Sequence, residues 1–175
     1  MKAPAERSID WLKAAAKRVK YNAQTGVFTW AVNVGPRRAG QVAGVVRSNG
    51  YRYLTIHCKL ISAHRLAWFM HYGIPAPSDR QIDHINNQPD DNSIANLRLA
   101  TQTDNMWNAR KRAGTISKFR GVTFDISRNR WHMTARLPDG TVQKRFDTEL
   151  EAARAYDALI KARGTEFHPL NFPGE

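Results

Sequence analysis

Within residues 80–110, RQIDHINNQPDDNSIANLRLATQTDNMWNAR, a carboxylate, an imidazole and two amides recur at spacings that could serve metal-assisted hydrolysis. Asp83 and His84 are neighbours in a short β-like run, Ile82 to Ile85. Asn96 opens a second strand-like run to Ala100, and Asn105 lies where Thr101 to Asn105 reads as the start of a helix. Hydrolysis of a phosphodiester needs a base for water, a Lewis acid for the developing charge and a grip on the phosphate. His84 can accept a proton at neutral pH. The oxygens of Asp83 and Asn105 are hard ligands of the kind that Mg2+ or Mn2+ takes. Successive strand side chains point to opposite faces, so Asp83 and His84 serve one site only at a strand end or a kink. The Asn96 amide could bridge backbone groups and hold the His84 loop rigid. By residue type alone the pattern is unspecific, because asparagine is common in turns and caps.

The elements that must position these residues can be read from periodicity. Ser8 to Lys20 has Ile9, Leu12, Ala16 and Val19 at helical spacing, with Ser8 as an N-cap. From Tyr21 to Ile61 the period shifts to two. Strands are expected at 27–30, 41–46 and 51–56, separated by Thr25-Gly26, Val34-Gly35-Pro36 and the hairpin signal Asn49-Gly50. Ser62 to Tyr72 turns helical and stops at Gly73, with Leu66, Ala67, Phe69 and Met70 as core candidates. His64 and Arg65, near its N-terminus, are candidates for a supporting role. Strand, loop, strand and helix between 80 and 110 can then bring Asp83, His84 and Asn105 to one point.

A basic, small-residue segment, 111–118, reads as a linker. Beyond it, strands are expected at 119–124, 130–137 and 141–146. An alanine-rich helix follows, capped by Thr148 with Glu151 completing a capping box and Gly164 ending it. On the middle strand Arg130, His132, Thr134 and Arg136 alternate with Trp131, Met133, Ala135 and Leu137. The apolar set should meet the helix, leaving a basic polar face outward, and a major groove is wide enough for a β-ribbon with such a face.

Charge agrees with a polyanionic partner. The 175 residues carry +12. Residues 1–60 hold 11 basic and 2 acidic side chains, residues 61–105 hold 3 and 5, and residues 106–175 hold 13 and 8. Two basic arms therefore flank an acidic middle, where a divalent cation would find oxygen ligands. Hydrophobic content of 42% with five Trp, five Tyr and seven Phe argues for folded cores. The single cysteine, Cys58, rules out an internal disulfide and a multi-cysteine zinc knuckle, so no zinc is expected. It reads as a half-buried thiol in a strand. No apolar run approaches a membrane span and no signal peptide is evident, so no membrane partner and a cytoplasmic location are expected.

The central stretch resembles the His-Asn-His (HNH) endonuclease family, in the form found in phage and intron-encoded homing enzymes. The resemblance rests on His64-Arg65-Leu66-Ala67, Asp83-His84-Ile85-Asn86-Asn87, Asn92, Asn96-Leu97 and Thr101-Gln102-Thr103-Asp104-Asn105, in that order. It implies a ββα-metal finger over about 80–112. His84 is then the general base, Asp83 and Asn105 hold one Mg2+ (or Mn2+), and Asn96 positions the catalytic loop. The family's last position is often histidine; Asn105 departs from that. The resemblance further implies cleavage to 5′-phosphate and 3′-hydroxyl ends. With one motif per chain a monomer would nick, whereas a double-strand break needs dimerisation or rebinding.

The C-terminal segment resembles the plant ethylene-response-factor (Apetala-type) DNA-binding domain. It does so through Phe119-Arg120-Gly121-Val122, Arg130-Trp131, Arg136, Phe146-Asp147-Thr148, Glu151-Ala152-Ala153, Ala155-Tyr156-Asp157 and Leu170-Asn171-Phe172-Pro173. That resemblance implies readout of double-stranded DNA through a three-stranded sheet. Arg136 and Thr134 would contact bases, Arg120, Arg128 and Arg130 phosphates or bases, with His132 on the same face. Lys144 and Arg145 are phosphate candidates whose facing is open. Thr123 stands where the plant pattern has arginine, so no target sequence carries over.

The expected fold is α+β. N-terminal hairpins and a ββα-metal finger occupy 1–113, a linker 114–117, and a three-stranded antiparallel sheet packed on one helix 118–175. The expected activity is that of a homing-type DNA endonuclease. A DNA-binding regulator with an inert nuclease scaffold, and RNA binding through the basic arms, are the alternatives.

Overall fold

Leu12 and Ala15 are buried on one side of α1 (Pro4–Ala16), and Ile9, Trp11 and Ala16 pack beside them in the computed structural model, which describes residues 4–109 and 116–175. The helix begins before Ser8, which therefore lies inside it rather than capping it. It ends three residues before Val19, because Val19 joins β1 (Val19–Tyr21), paired antiparallel with β2 (Phe28–Trp30). Val19 is apolar in register with the helical stripe, but its burial comes from a strand. Packing divides the chain into two compact units, Met1–Gln102 and Thr103–Glu175.

In the first unit, β3 (Val45–Val46), β4 (Arg52–Ile56) and β5 (Lys59–Ser62) form an antiparallel sheet in that order. The strand expected over 41–46 is cut to two residues, since Gly44 takes φ +90°. A Cβ there would stand 2.9 Å from the Tyr53 carbonyl oxygen. Cys58 also departs from expectation: it is exposed at a hairpin tip, where His57 and Cys58 both adopt positive φ, 49° and 60°. This two-residue turn is of the type that asparagine and glycine usually announce, so a His-Cys pair hid it. Next, α2 (Ala63–Tyr72) ends at Gly73 in the left-handed region and buries Leu66, Ala67, Trp68 and Phe69. Phe28, Leu54 and Leu66 lie at the centre of this core. The hairpin of β6 (Gln81–His84) and β7 (Leu97–Ala100) pairs His84 with Leu97 and Asp83 with Arg98, and Leu97 seats it in the same core.

The second unit opens at Thr103, the second residue of α3 (Gln102–Asn108), whose Trp107 stacks on His168 at 4.5 Å between ring centres. The unit's sheet runs β10 (Gly140–Phe146), β9 (Arg130–Leu137), β8 (Val122–Asp125), antiparallel throughout. Its apolar face, Val122, Met133, Ala135 and Leu137, is buried against Ala152, Ala153, Tyr156 and Ile160 of α4 (Glu149–Arg163). The capping box of Thr148 and Glu151 is formed in both directions. The small residues of α4 let helix and sheet approach closely, most of all at Gly121. There φ is +70° and a Cβ would stand 2.4 Å from the Tyr156 ring. Gly121→Ala should therefore destabilise this unit by about 2–4 kcal/mol, read as a lower midpoint in urea. An unchanged midpoint would show that the ring can yield.

Of the expected linker 114–117, residues 114 and 115 fall outside the described residues, as do 110–113. The unit boundary lies at 102/103, upstream of the linker, because Trp107 of α3 packs within the C-terminal unit.

Candidate active site

His84 is the last residue of β6 and is buried, with 4% of its surface exposed. Immediately after it the chain turns. Asn87 takes φ +57° and donates its N–H to the His84 carbonyl at 2.9 Å. The strand end that Asp83 and His84 need in order to serve one site is thus present.

The loop from 85 to 96 is held by the Asn96 side chain. Its Oδ1 accepts from the Asn86 N–H at 2.9 Å, and its Nδ2 donates to the Asp91 carbonyl at 2.8 Å. Asn96 is 8% exposed and closes a single 3₁₀ turn, Ile94–Asn96, instead of opening β7. Its own carbonyl accepts from the Ile85 N–H at 2.9 Å. Asp91 adds local closure by accepting from the Ser93 hydroxyl and the Asn86 amide, and the Ser93 hydroxyl leads in holding its carboxyl below the usual carboxylate range.

Two rings flank His84. His64, on the first turn of α2, stands edge-on to His84 at 5.3 Å between centres. Tyr51 lies 5.5 Å from His64 and 5.7 Å from His84. Tyr51 follows the Asn49-Gly50 hairpin signal and is not among the expected site residues. It sits more than thirty residues from His84, and only the pairing of β4 with its neighbours brings the two near. Burial lowers the His84 pKa. Hydrogen bonding to Asn92 and the carboxylates of Asp83, Asp91 and Asp90 oppose that shift without overcoming it. The imidazole is therefore neutral at physiological pH, the form that can take a proton, with charges at hand to stabilise the cation once it forms.

His64 is held more firmly neutral. Burial, then His84, then Arg65 push its pKa from 6.5 to about 4. Its Nε2 lies 3.3 Å from the Ser62 hydroxyl, and Nδ1 is buried with no hydrogen-bond partner among the described residues. The unfolded chain binds a proton here below pH 6.5 and the folded chain only near pH 4, so stability is lost as pH falls through that window. The loss from this group is roughly 3 kcal/mol. His64→Gln should flatten the fall in unfolding free energy between those pH values, and an unaltered slope would remove His64 from the acid response. Arg65 is exposed on the same helix.

Asp83 lies opposite Arg98 in the hairpin, and its Oδ2 accepts from the arginine Nε at 2.9 Å, both side chains being 12% exposed. Among the described residues, no three or more His, Cys, Asp or Glu side chains are grouped to cage an ion. Mg2+ is commonly held by one or two carboxylates together with phosphate oxygens and water. A single carboxylate at Asp83 therefore fits an ion shared with substrate, and such an ion would share the carboxylate with Arg98. Asn105 lies in α3, in the other unit.

The readout candidates of the C-terminal sheet separate by facing. Residues directly opposite in an antiparallel pair share a face. Arg145 is paired with His132, Gln143 with Thr134 and Thr141 with Arg136, so these six lie together on the face away from α4. Lys144 is paired with buried Met133 and so shares the helix-side face, though it is exposed. Arg130 pairs with Asp147 and Arg128 with Asp125, committing both guanidinium groups to neighbouring carboxylates. Arg120 is half-buried and engaged within its own unit. Its Nη1 donates to the Trp107 carbonyl at 3.1 Å and its N–H to Asn171 Oδ1, so it braces its own unit.

Residues 62–107 match the model of the HNH endonuclease family. That segment is similar to the HNH endonuclease family, and the rest of the chain lies outside the match. Over 60 residues the chain is 33% identical to protein 3.8 of Escherichia phage T7, covering 34% of this chain and 50% of that one. The chain thus spans about half the length of the curated relative it matches. A solved structure concerning DNA binding and cleavage by the HNH homing endonuclease I-HmuI is similar at 19% identity with a TM-score of 0.43, over 82% of this chain and 80% of that one. The matched segment contains His64, Asp83, His84, Asn96 and Asn105, and stops short of the C-terminal sheet. Among the described residues, no helix is long and apolar enough to cross a membrane.

Proposed function

We propose that the protein is a homing-type HNH endonuclease that hydrolyses a phosphodiester of double-stranded DNA, nicking one strand per site. The observation that carries this reading is His84: a buried, neutral imidazole at a strand end, beside the Asp83 carboxylate, on a loop closed by Asn96. His84 takes a proton from water as the oxygen attacks phosphorus and the P–O3′ bond breaks, the 3′ oxygen leaving to end as a hydroxyl and the phosphate staying on the 5′ side. Asp83, Asp91 and Asp90 lower the cost of the imidazolium that results. Asp83 would hold Mg2+ or Mn2+, which would supply charge stabilisation at the scissile phosphate, and Asn105 is the second ligand that the HNH resemblance implies. Arg98 keeps the Asp83 carboxylate oriented. The C-terminal sheet, resembling an ethylene-response-factor domain, would lay the face bearing Arg136, Thr134, His132 and Arg145 into the major groove. Arg128, Arg130 and Lys144 are at most phosphate contacts.

Two measurements test the two halves. Nicks made in supercoiled plasmid by excess protein with Mg2+ should be resealed by DNA ligase, as 5′-phosphate and 3′-hydroxyl ends require; ends that resist ligation would exclude this hydrolysis. Arg136→Ala should weaken binding to a selected duplex by roughly 1–3 kcal/mol, if the guanidinium grips a base edge in two places. An unchanged footprint would remove Arg136 from the reading face. Preference for single-stranded RNA over duplex in competition would overturn the choice of partner.

A further inference from the structure

The catalytic loop is tied at five points to the N-terminal hairpins, which lie more than thirty residues upstream and outside the 62–107 segment that carries the nuclease match. The Tyr21 hydroxyl donates to the Asn92 carbonyl at 2.8 Å, and the Ile94 N–H donates to the Ala23 carbonyl at 2.9 Å. Gly26, at φ +71°, presses its Cα against the loop backbone. A Cβ there would stand 2.4 Å from both the Asn92 carbonyl carbon and the Ser93 nitrogen. From the other sheet, Arg52 grips the Asp90 carboxylate with two donors, Nε to Oδ1 at 2.8 Å and Nη2 to Oδ2 at 2.9 Å. Its Nη1 donates to the Gly44 carbonyl at 3.2 Å. Gly50, on the same hairpin as Arg52, abuts Pro89.

These ties converge on the span 89–94, which is joined to the turn after His84. Asn92 is 1% exposed, Asn86 Nδ2 donates to Asp91 Oδ2 at 2.7 Å, and Asn96 Nδ2 donates to the Asp91 carbonyl at 2.8 Å. Tyr21 cannot easily ionise at its post. Burial, then Tyr72, then Asp91 raise its pKa to about 12, so the phenol stays a donor. Its ring is fixed by stacking on Phe28 at 4.8 Å. A loop of this length carrying two adjacent aspartates and an asparagine has little packing of its own, and its polar tip would otherwise fluctuate.

We infer that Tyr21 and Arg52 are positioning residues of the reaction, clamping the 89–94 span so that Asn92 and the two aspartates face His84. The inference rests on the nuclease reading of His84. It extends the functional unit to the first two sheets of the chain, which thereby set the rate of the chemical step as well as supporting the fold.

The test uses the full chain, with single-turnover cleavage of supercoiled plasmid by excess protein in Mg2+. Parent, His84→Ala, Tyr21→Phe, Arg52→Gln and Arg52→Lys are compared. Tyr21→Phe keeps the stacked ring and removes only the hydroxyl. It should lower the rate at saturation about tenfold or more, with the half-saturating protein concentration unchanged and the thermal midpoint close to the parent's. Arg52→Gln should do the same, and Arg52→Lys should recover part of the rate. Parental rates in both Tyr21→Phe and Arg52→Gln, beside an inert His84→Ala, would overturn the clamp alone. A rise in half-saturation with an unchanged rate would overturn it too, moving these residues to DNA binding. A parent as inert as His84→Ala on bound DNA would overturn the nuclease reading and the clamp with it. Should Tyr21→Phe fail to fold, the two Arg52 variants decide.

Discussion

Replacing His84 by alanine is expected to lower the cleavage rate about 10²–10⁴-fold while DNA binding survives. The magnitude follows from the role. A general base positioned at the nucleophile typically contributes that much, and no second histidine is equipped to replace it. His64 is the nearest imidazole, but its pKa of about 4 makes it a poor base at neutral pH. The fold should tolerate the change, although a cavity beside Tyr51 and His64 will cost some stability. Cleavage and electrophoretic binding measured on the same preparation separate the outcomes. A variant that still cuts at the parental rate would place the base elsewhere.

The second large effect is expected at Asn96. Alanine there strands the Asn86 N–H and the Asp91 carbonyl at the neck of the loop. A buried polar group left without a partner costs about 1–3 kcal/mol, and with Asn86 exposed and Asp91 half-buried water offsets part of that, so the unfolding free energy should fall by roughly 1–3 kcal/mol in all. Cleavage should fall by about 10²-fold in protein that remains folded, because a displacement of the order of 1 Å at the reacting groups has that effect. Asn96→Asp separates the two bonds. It keeps an acceptor for Asn86 but turns an oxygen toward the Asp91 carbonyl, so it should fare little better than alanine. Near-parental stability and rate in Asn96→Asp would show that the donor to Asp91 is dispensable.

These residues were legible in the chain because their chemistry is local. Asp83, His84 and Asn96 lie within one hairpin, and the alternation of β9 was readable residue by residue, since period two reports burial directly. What escaped reading depends on contacts remote in sequence. Tyr21 and Arg52 looked like ordinary strand residues, and only the packing of two hairpins around the loop brings them to Asn92 and Asp90. Arg120 is a DNA-contact candidate by resemblance, and its guanidinium donates to the Trp107 carbonyl of its own unit, a partner that residue type does not encode. The facing of Lys144 and Arg145 needed the register of β10 against β9, which a turn at Pro138-Asp139-Gly140 leaves open by one residue.

Asp83 illustrates a further limit of residue type. A carboxylate in a motif reads as a ligand, whereas its partner across the hairpin, Arg98, binds one of its oxygens. The pair has a functional sense if the arginine orients the carboxylate toward a cation shared with the phosphate.

The most direct measurement is single-turnover cleavage of DNA already saturated with protein, started by Mg2+ alone or by Mg2+ with excess chelator. Strand scission only in the first reaction, leaving 3′-hydroxyl ends and lost in His84→Ala, is the result expected of a metal-dependent nuclease centred on His84. Equal scission with chelator present, or none from fully bound DNA under either condition, would contradict it.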